Sequence, residues 1–161
     1  MKESTSTALM FGAALFLALA LIGIAVNVFS PATEAAKAAT TDFSSATTEL
    51  KDQKYLIYDN TTISGAQVTN AIRKFEAEGK AKNIAIQVVT GQNSGGKWYY
   101  NSFTGENGSG TIGNSADGNT ANINDSTNTE YVNPSGMFHA EVKRDSNSVI
   151  RALIFTQNNV Q

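Results

Sequence analysis

The pattern of apolar positions sets the N-terminal part of the chain apart from the rest. Residues 8–26 are 19 consecutive residues without a charged side chain. As a helix this run is about 28 Å long, close to the roughly 30 Å hydrocarbon core of a bilayer. Leucine, isoleucine, phenylalanine and valine each favour insertion by a few tenths of a kcal/mol, so their sum is favourable. We therefore predict a transmembrane or filament-core helix within residues 1–30.

Three explanations of this apolar segment compete: a cleaved signal peptide, a permanent anchor, and an anchor that is later drawn into a helical assembly. An Ala-Lys-Ala stretch at residues 36–38 could serve as a cleavage site. However, Glu3 offsets the charge of Lys2, and the apolar run exceeds the roughly 7–15 residues of a signal peptide. Retention is therefore favoured. Small residues such as Gly12 and Gly23 let helices approach closely, which favours the assembly.

The residues expected at the membrane or assembly surface are the large apolar side chains of this run and its two glycines. They are Leu9, Phe11, Gly12, Leu15, Phe16, Leu19, Ile22, Gly23 and Val26. The expected contacts of this surface are lipid before assembly and other copies of the chain afterwards.

Residues 31–52 predict an amphipathic continuation of the helix. Ser30 is placed to cap a helix that has Pro31 in its first turn, and the alanine-rich sequence that follows favours helix over residues 32–50. The two helical segments together make a nearly continuous helix. A narrow apolar stripe runs along the second one and consists of Ala35, Ala39, Phe43, Ala46 and Leu50. We expect this stripe to pack against the domain that follows.

Residues 53–161 predict a small α+β head. Residues 55–58 are β-prone and are followed by turn residues. Ser64 and Gln67 have capping-box spacing and begin an amphipathic helix over residues 65–78, which Gly79 is expected to close. The apolar face of this helix and the stripe on residues 31–52 are the available covers for a sheet.

Two hairpins are predicted in the head. Residues 83–90 pair with 97–103, and residues 137–144 pair with 149–157. The last strand is apolar on both faces, which is typical of a central strand. Between the hairpins, residues 104–130 form a polar loop in which only Ile112 and Ile123 could act as anchors. The fold class is therefore α+β: a long N-terminal helix, then an antiparallel sheet of four or five strands with one short helix.

Composition argues against several kinds of chemistry. The net charge is −2 and the chain has no cysteine and one histidine, so it has neither the basic footprint of a nucleic-acid binder nor a disulfide framework or thiolate site. His139 alternates with apolar residues in its strand and should face solvent beside Glu141 and Lys143. The acidic residues of the loop lack the spacing of a calcium loop. We therefore predict no catalytic residue, cofactor or metal ligand, and a protein that is not an enzyme.

The order of an apolar half-helix, an amphipathic continuation and a β-rich head resembles type IV pilin-like subunits. The resemblance is one of architecture over the whole chain. The processing motif of that family, a glycine before an aromatic residue, is not matched, since Ala13 follows Gly12. The resemblance implies that the apolar helix lies in the membrane before assembly and in the filament core afterwards, and that the head lies outside the cytoplasm.

The predicted function is thus that of a structural subunit of a surface filament. Three further hypotheses belong to other classes of protein. One is a monomeric, membrane-anchored extracellular binding module that uses residues 104–130 for recognition. Another is an accessory component of a secretion or conjugation machine. The third, which the sequence favours least, is a membrane-tethered hydrolase.

Overall fold

A computed structural model describes residues 2–114 and 116–158 of the chain. Three α-helices are present in this part: α1 (Lys2–Leu56), α2 (Gly65–Lys74) and α3 (Glu76–Lys80). The strands are β1 (Thr61–Ser64), β2 (Ala85–Thr90), β3 (Asn93–Tyr99), β4 (Phe103–Thr104), β5 (Thr111–Ile112), β6 (Met137–Arg144) and β7 (Ile150–Gln157). The chain divides into two compact units, one ending at Thr47 and the other beginning at Thr48. The α+β class and the layout of a long helix before a small head are confirmed.

Helix α1 is one uninterrupted helix of 55 residues. Pro31 lies inside it, so the prediction that Ser30 caps a new helix is wrong. The predicted strand at residues 55–58 is also wrong, because Tyr55 and Leu56 form the last turn of α1. The ring of Tyr55 packs against Phe75 with 4.9 Å between centroids. The end of the helix thus supplies an aromatic anchor to the head core, and this packing overrides the β propensity of the tyrosines.

Helix α2 begins with the predicted capping box. The backbone N–H of Gln67 donates to Ser64 Oγ, and the backbone N–H of Ser64 donates to Gln67 Oε1 at 3.0 Å. The predicted single helix is split into α2 and α3 at Phe75. Gly79 lies inside α3 and does not close it; a Cβ at this position would lie 2.5 Å from the ring of Tyr100. The left-handed residue after α3 is Lys82, with φ of 59°.

The main sheet has five strands in the order β1-β6-β7-β2-β3. The β6–β7 hairpin matches its prediction closely, and β7 is central as expected. Strands β2 and β7 pair in parallel, so the sheet is mixed rather than wholly antiparallel. The hairpin partner of β2 begins earlier than predicted, at Asn93, and ends at Tyr99. Tyr100 adopts a left-handed conformation (φ 67°), and Phe103 belongs to the separate β4–β5 ladder.

The core lies between one face of the sheet and helix α2. Val68, Ile72 and Phe75 of α2 are buried against strand residues that include Phe138 and Phe155. A smaller cluster on the opposite face of the sheet joins Ala85 and Ala152 to Phe103, with Trp98 and Ile112 packed against it. The predicted orientation of strand β6 is confirmed, since Phe138, Ala140 and Val142 are buried while His139, Glu141 and Lys143 are partly exposed.

The stripe on the second half of the helix is not a cover for the sheet. Phe43 is 76% exposed and Leu50 is 67% exposed. The helix residues that are buried are Asp52 and Tyr55. The head therefore uses a different face of the helix from the one that we predicted.

The long polar segment of the head is held by its two predicted anchors. Ile123 is fully buried in the main core and lies in a 3-10 turn at Asn122–Asn124. Ile112 packs against the smaller cluster. Short-range hydrogen bonds order the turns of this segment. For example, Asp125 Oδ1 accepts from the backbone N–H of Thr127 at 3.0 Å. Such side-chain turns explain how a segment rich in Asn, Asp and Thr is shaped without a core of its own.

Candidate membrane and assembly surface

Helix α1 is long and apolar enough to cross a membrane, and no part of its most apolar stretch is buried. The seven large side chains that we predicted at this surface are between 59% (Val26) and 76% (Leu9) exposed. At about 100° per residue, the nine predicted residues fall within an arc of about 160° of the helix surface. They therefore form one broad apolar face, and nothing within the described part of the chain packs against it.

The polar side chains that border this face bond back to the helix itself. Asn27 Nδ2 donates to the carbonyl oxygen of Gly23 at 2.9 Å. Thr33 Oγ1 donates to the carbonyl of Phe29, and Thr7 Oγ1 to that of Glu3, both at 2.8 Å. A polar group in lipid is costly unless it is hydrogen-bonded. These internal bonds make the segment compatible with a bilayer despite Asn27.

Gly12 and Gly23 lie on the broad face and have open space around them. A Cβ built at either position would meet nothing within 4 Å. Neither glycine has a left-handed backbone, since both lie in the helix and neither has a positive φ. Within the chain itself, neither glycine is needed for a turn or a close contact. A role for their small size therefore has to come from a neighbour outside this chain.

The last turns of α1 are joined to the head by a half-buried ion pair that we did not predict. Asp52 is 7% exposed. Its Oδ2 accepts from Arg144 Nη1 at 3.0 Å and from the backbone N–H of Ile150 at 3.4 Å. Arg144 Nη1 also donates to the carbonyl of Ser148. The helix end is thus fixed to the β6–β7 hairpin, and the partners are more than ninety residues away in sequence.

A second ion pair joins the same helix end to α3. Lys54 Nζ donates to Glu78 Oε1. Burial alone would lower the pKa of Lys54, but the hydrogen bond and charge of Glu78 outweigh it and raise this pKa. The hydrogen bond from Lys54 in turn holds the pKa of Glu78 below its ordinary value. Both groups are charged at neutral pH, so the pair supports the junction there.

An open cleft of about 470 Å³ lies beside this junction. Its charged lining residues include Asp52, Lys54, Glu78 and Arg151. Each of these four makes an ion pair: Asp52 with Arg144, Lys54 with Glu78, and Arg151 with Asp145. Among the described residues, no buried side-chain nitrogen or oxygen is without a hydrogen-bond partner. The cleft therefore has no orphaned polar group aimed at a ligand.

Two carboxylates of the polar segment accept hydrogen bonds from backbone N–H groups. Asp117 Oδ1 accepts from the backbone N–H of Trp98 at 2.8 Å, and Lys97 Nζ donates to Oδ2 at 3.1 Å. The backbone hydrogen bond and then the lysine lower the pKa of Asp117. Glu130 Oε2 accepts from the backbone N–H of Asn119 at 2.7 Å. Across residues 2–114 and 116–158, no three His, Asp or Glu side chains stand together as a metal site.

His139 lies on an open sheet face, with its Nε2 3.5 Å from Glu141 Oε1. Glu141 also pairs with Lys143 at 3.0 Å, and the hydrogen bond from this lysine lowers the pKa of Glu141. The arrangement is that of solvated charges along a strand.

The side-chain amide of Asn101 has a structural role that no pattern in the sequence predicts. It is 2% exposed, and its Nδ2 donates to the carbonyls of Gly79 at 2.6 Å and Ile84 at 2.9 Å. It therefore fixes the chain between α3 and β2. Its partners are known only once the fold is known, because nothing local marks this asparagine among the many others.

Comparison of the chain with protein-family models, with curated proteins and with solved structures gives no match.

Proposed function

We propose that this chain is a structural subunit of a surface filament, held in a lipid bilayer before it assembles. The observation that carries the proposal is the uncovered apolar face of α1 on a helix whose other end is built into a folded head. Burial of this face stabilises the protein by about 25 cal/mol for each Å² removed from water. Lipid covers it first, and copies of the same helix cover it in the filament.

The architecture supports this role in the same way as in type IV pilin-like subunits. The apolar half-helices would bundle as the filament core, and the α+β heads would form its exterior. In that arrangement the domain that follows the helix would lie outside the cytoplasm, at the cell surface.

The chemistry of the head fits a structural part better than a catalytic one. Four charged groups of the cleft are engaged in ion pairs: Lys54 with Glu78 joins α1 to α3, Asp52 with Arg144 joins α1 to β6, and Arg151 pairs with Asp145 within the β6–β7 hairpin. A catalytic acid or base needs a group whose pKa is poised near the working pH and that can reach a substrate. The carboxylates of Asp117 and Glu78 have lowered pKa values, and each is paired with a lysine, Lys97 or Lys54.

Electron microscopy of sheared surface material tests the proposal. Cells that express the chain should shed regular fibres that an antibody against the head decorates. Cells that lack the chain should shed none. Recovery of the chain only as a detergent-soluble monomer, with no decorated fibre, would count against the filament.

Replacement of Gly12 and Gly23 by leucine sharpens the test. Leucine favours insertion but prevents the close approach of helices that small residues allow. We expect normal membrane recovery and few or no fibres. The control is Ala20→Leu, which lies outside the arc of the broad face and adds a similar side chain. Normal fibres from the double glycine variant would show that close packing at these positions is not needed.

One observation favours a second candidate, a monomeric membrane-anchored binding module. The segment of residues 104–130 is largely exposed, yet Ile112 and Ile123 hold it against the head. A polar surface of fixed shape suits recognition. This candidate predicts a monomer in detergent and no fibres, so the same microscopy and fractionation separate it from the filament subunit.

A further inference from the structure

A repeat of seven residues runs along helix α1 on both sides of the membrane boundary. Large side chains and alanines alternate along one stripe, each set at intervals of seven. The large residues are Leu15, Ile22, Phe29, Phe43 and Leu50, with Ala36 in the remaining place, and the small ones are Ala18, Ala25, Ala32, Ala39 and Ala46. A strict period of seven is that of helices that wind around each other in a left-handed supercoil.

The head of the same chain leaves this stripe uncovered. Leu50 is 67% exposed, whereas Asp52 and Tyr55 are buried against the head. At about 100° per residue, Asp52 and Tyr55 lie about 140–200° around the helix from Leu50. Phe29 and Phe43, further along the stripe, are 69% and 76% exposed. Leu50, the last residue of the stripe, therefore lies on the side of its helix end opposite to Asp52 and Tyr55.

Lipid does not account for the part of the stripe after Phe29. The apolar residues 8–26 already span about 28 Å, close to the thickness of a hydrocarbon core. Residues 29–50 extend the helix by about 32 Å more. This part carries Glu34, Lys37, Asp42 and Glu49, which a bilayer core would exclude. All four lie off the stripe, and the stripe itself is free of charge, so a protein surface is the cover that fits it.

We propose that residues 29–50 pair in parallel with the same residues of a second copy of this chain. The stripe is self-complementary, because Phe29 and Phe43 are each followed after three positions by an alanine, which leaves room for a large side chain of the partner. The parallel orientation rests on the proposed anchor. Helices that start in one membrane with one topology lie side by side at equal depth. The shared membrane also raises their effective concentration.

The pairing deepens the filament proposal and does not depend on fibres. It applies to the anchored protein before assembly and names the contact that would bring two subunits together.

The chain has no cysteine, so a single introduced thiol reports the pairing in the full-length protein. Ala46→Cys places a thiol in the stripe, and Ser45→Cys places one at the adjacent position on the far side of the helix. Both side chains are exposed, so neither change should disturb the fold. Membranes that contain either variant are treated with a mild oxidant and resolved without reductant.

We expect a product of twice the chain mass from Ala46→Cys and roughly tenfold less from Ser45→Cys, since only stripe positions face each other in a supercoil. Adding Phe43→Glu to Ala46→Cys should lower the product by roughly tenfold, because two carboxylates would meet in the pair. Thermal unfolding of the head should be unchanged by Phe43→Glu, which shows that the fold survives.

Three results would each overturn the pairing. They are equal amounts of cross-linked product from Ala46→Cys and Ser45→Cys, no product from either variant, and a cross-link to a different protein. Fractionation of the same cells separates this failure from failure of the anchor. A chain that is in the membrane but does not cross-link contradicts the pairing alone. A chain that is recovered free in solution contradicts the proposed function.

Discussion

The two ends of helix α1 have the same backbone structure and opposite surroundings. Residues in the N-terminal run, such as Leu9 and Phe16, are 76% and 74% exposed, whereas Asp52 and Tyr55 at the other end are 7% and 4% exposed. Most helices in proteins are stabilised by the packing of one face. The C-terminal end has this support from its own chain, whereas no residue in the described part of the chain packs against the N-terminal run. In the proposed function, lipid or another copy of the chain supplies this support.

The largest expected effect comes from charges in the uncovered end. Each arginine at the centre of a membrane helix costs about 2.5–3.5 kcal/mol, so Leu15→Arg combined with Leu19→Arg should prevent stable insertion. Alkaline extraction of membranes measures the outcome. We expect the double variant in the soluble or degraded fraction and the unmodified chain in the pellet. The control Leu50→Arg, which lies beyond the apolar run, should stay in the pellet. Retention of the double variant would contradict the anchor.

A matched pair of phenylalanines contrasts the two surroundings directly. Phe155 is fully buried and Phe43 is 76% exposed. Phe155→Ala should lower the free energy of unfolding of the head by about 3–5 kcal/mol, since it leaves a cavity in the core. Phe43→Ala should change it by less than about 0.5 kcal/mol. Urea unfolding, followed by the fluorescence of Trp98, measures both. Similar losses for the two variants would mean that the stripe does pack on the head.

The junction of helix and head should be sensitive to the ion pair of Asp52. Asp52→Asn keeps the shape and removes the charge that faces Arg144. We expect a loss of about 1–3 kcal/mol in the free energy of unfolding, because a nearly buried hydrogen-bonded group loses a charged partner. The control is Glu49→Gln on the same helix, which is exposed and should be nearly neutral. An equal effect of both changes would indicate a general charge effect and not the junction.

The smallest expected effect is a dependence of stability on acid. The pKa of Glu78 is lowered in the folded head, chiefly by the hydrogen bond from Lys54. The stability that this carboxylate contributes is therefore present above its unfolded pKa of about 4.3 and is lost as the pH falls through the lower folded pKa. Glu78→Gln should reduce the loss of head stability between neutral pH and about pH 3. Thermal unfolding over this range tests it, and an unchanged profile would contradict the assignment.

Elements whose signals are local were predictable from the sequence. The capping box at Ser64 and Gln67 places both of its partners within one turn. The β6–β7 hairpin has alternation and a turn within a single stretch of chain. The apolar run is likewise a local property, and it predicts the helix that the structure shows to be long and apolar enough to cross a membrane. In each of these cases, the residues that decide the structure are neighbours in sequence.

Features that depend on distant partners were not predictable. The parallel pairing of β2 with β7 joins strands separated by more than sixty residues, and no local pattern indicates it. The face of α1 that contacts the head is set by Asp52, whose partner Arg144 lies 92 residues away. The sequence pattern predicted that the apolar stripe makes this contact, but Asp52 and Tyr55 make it instead. The prediction that Gly79 closes the helix was wrong for the same reason. The close approach of the Tyr100 ring requires a glycine at this position.

The mass of the native polypeptide tests the central claim most directly. Residues 8–26 are expected to remain attached and to be covered, so the chain recovered from membranes or fibres should have a mass that includes this apolar segment. A native polypeptide that begins near Ala39 and is a freely soluble single molecule would contradict both the anchor and the filament.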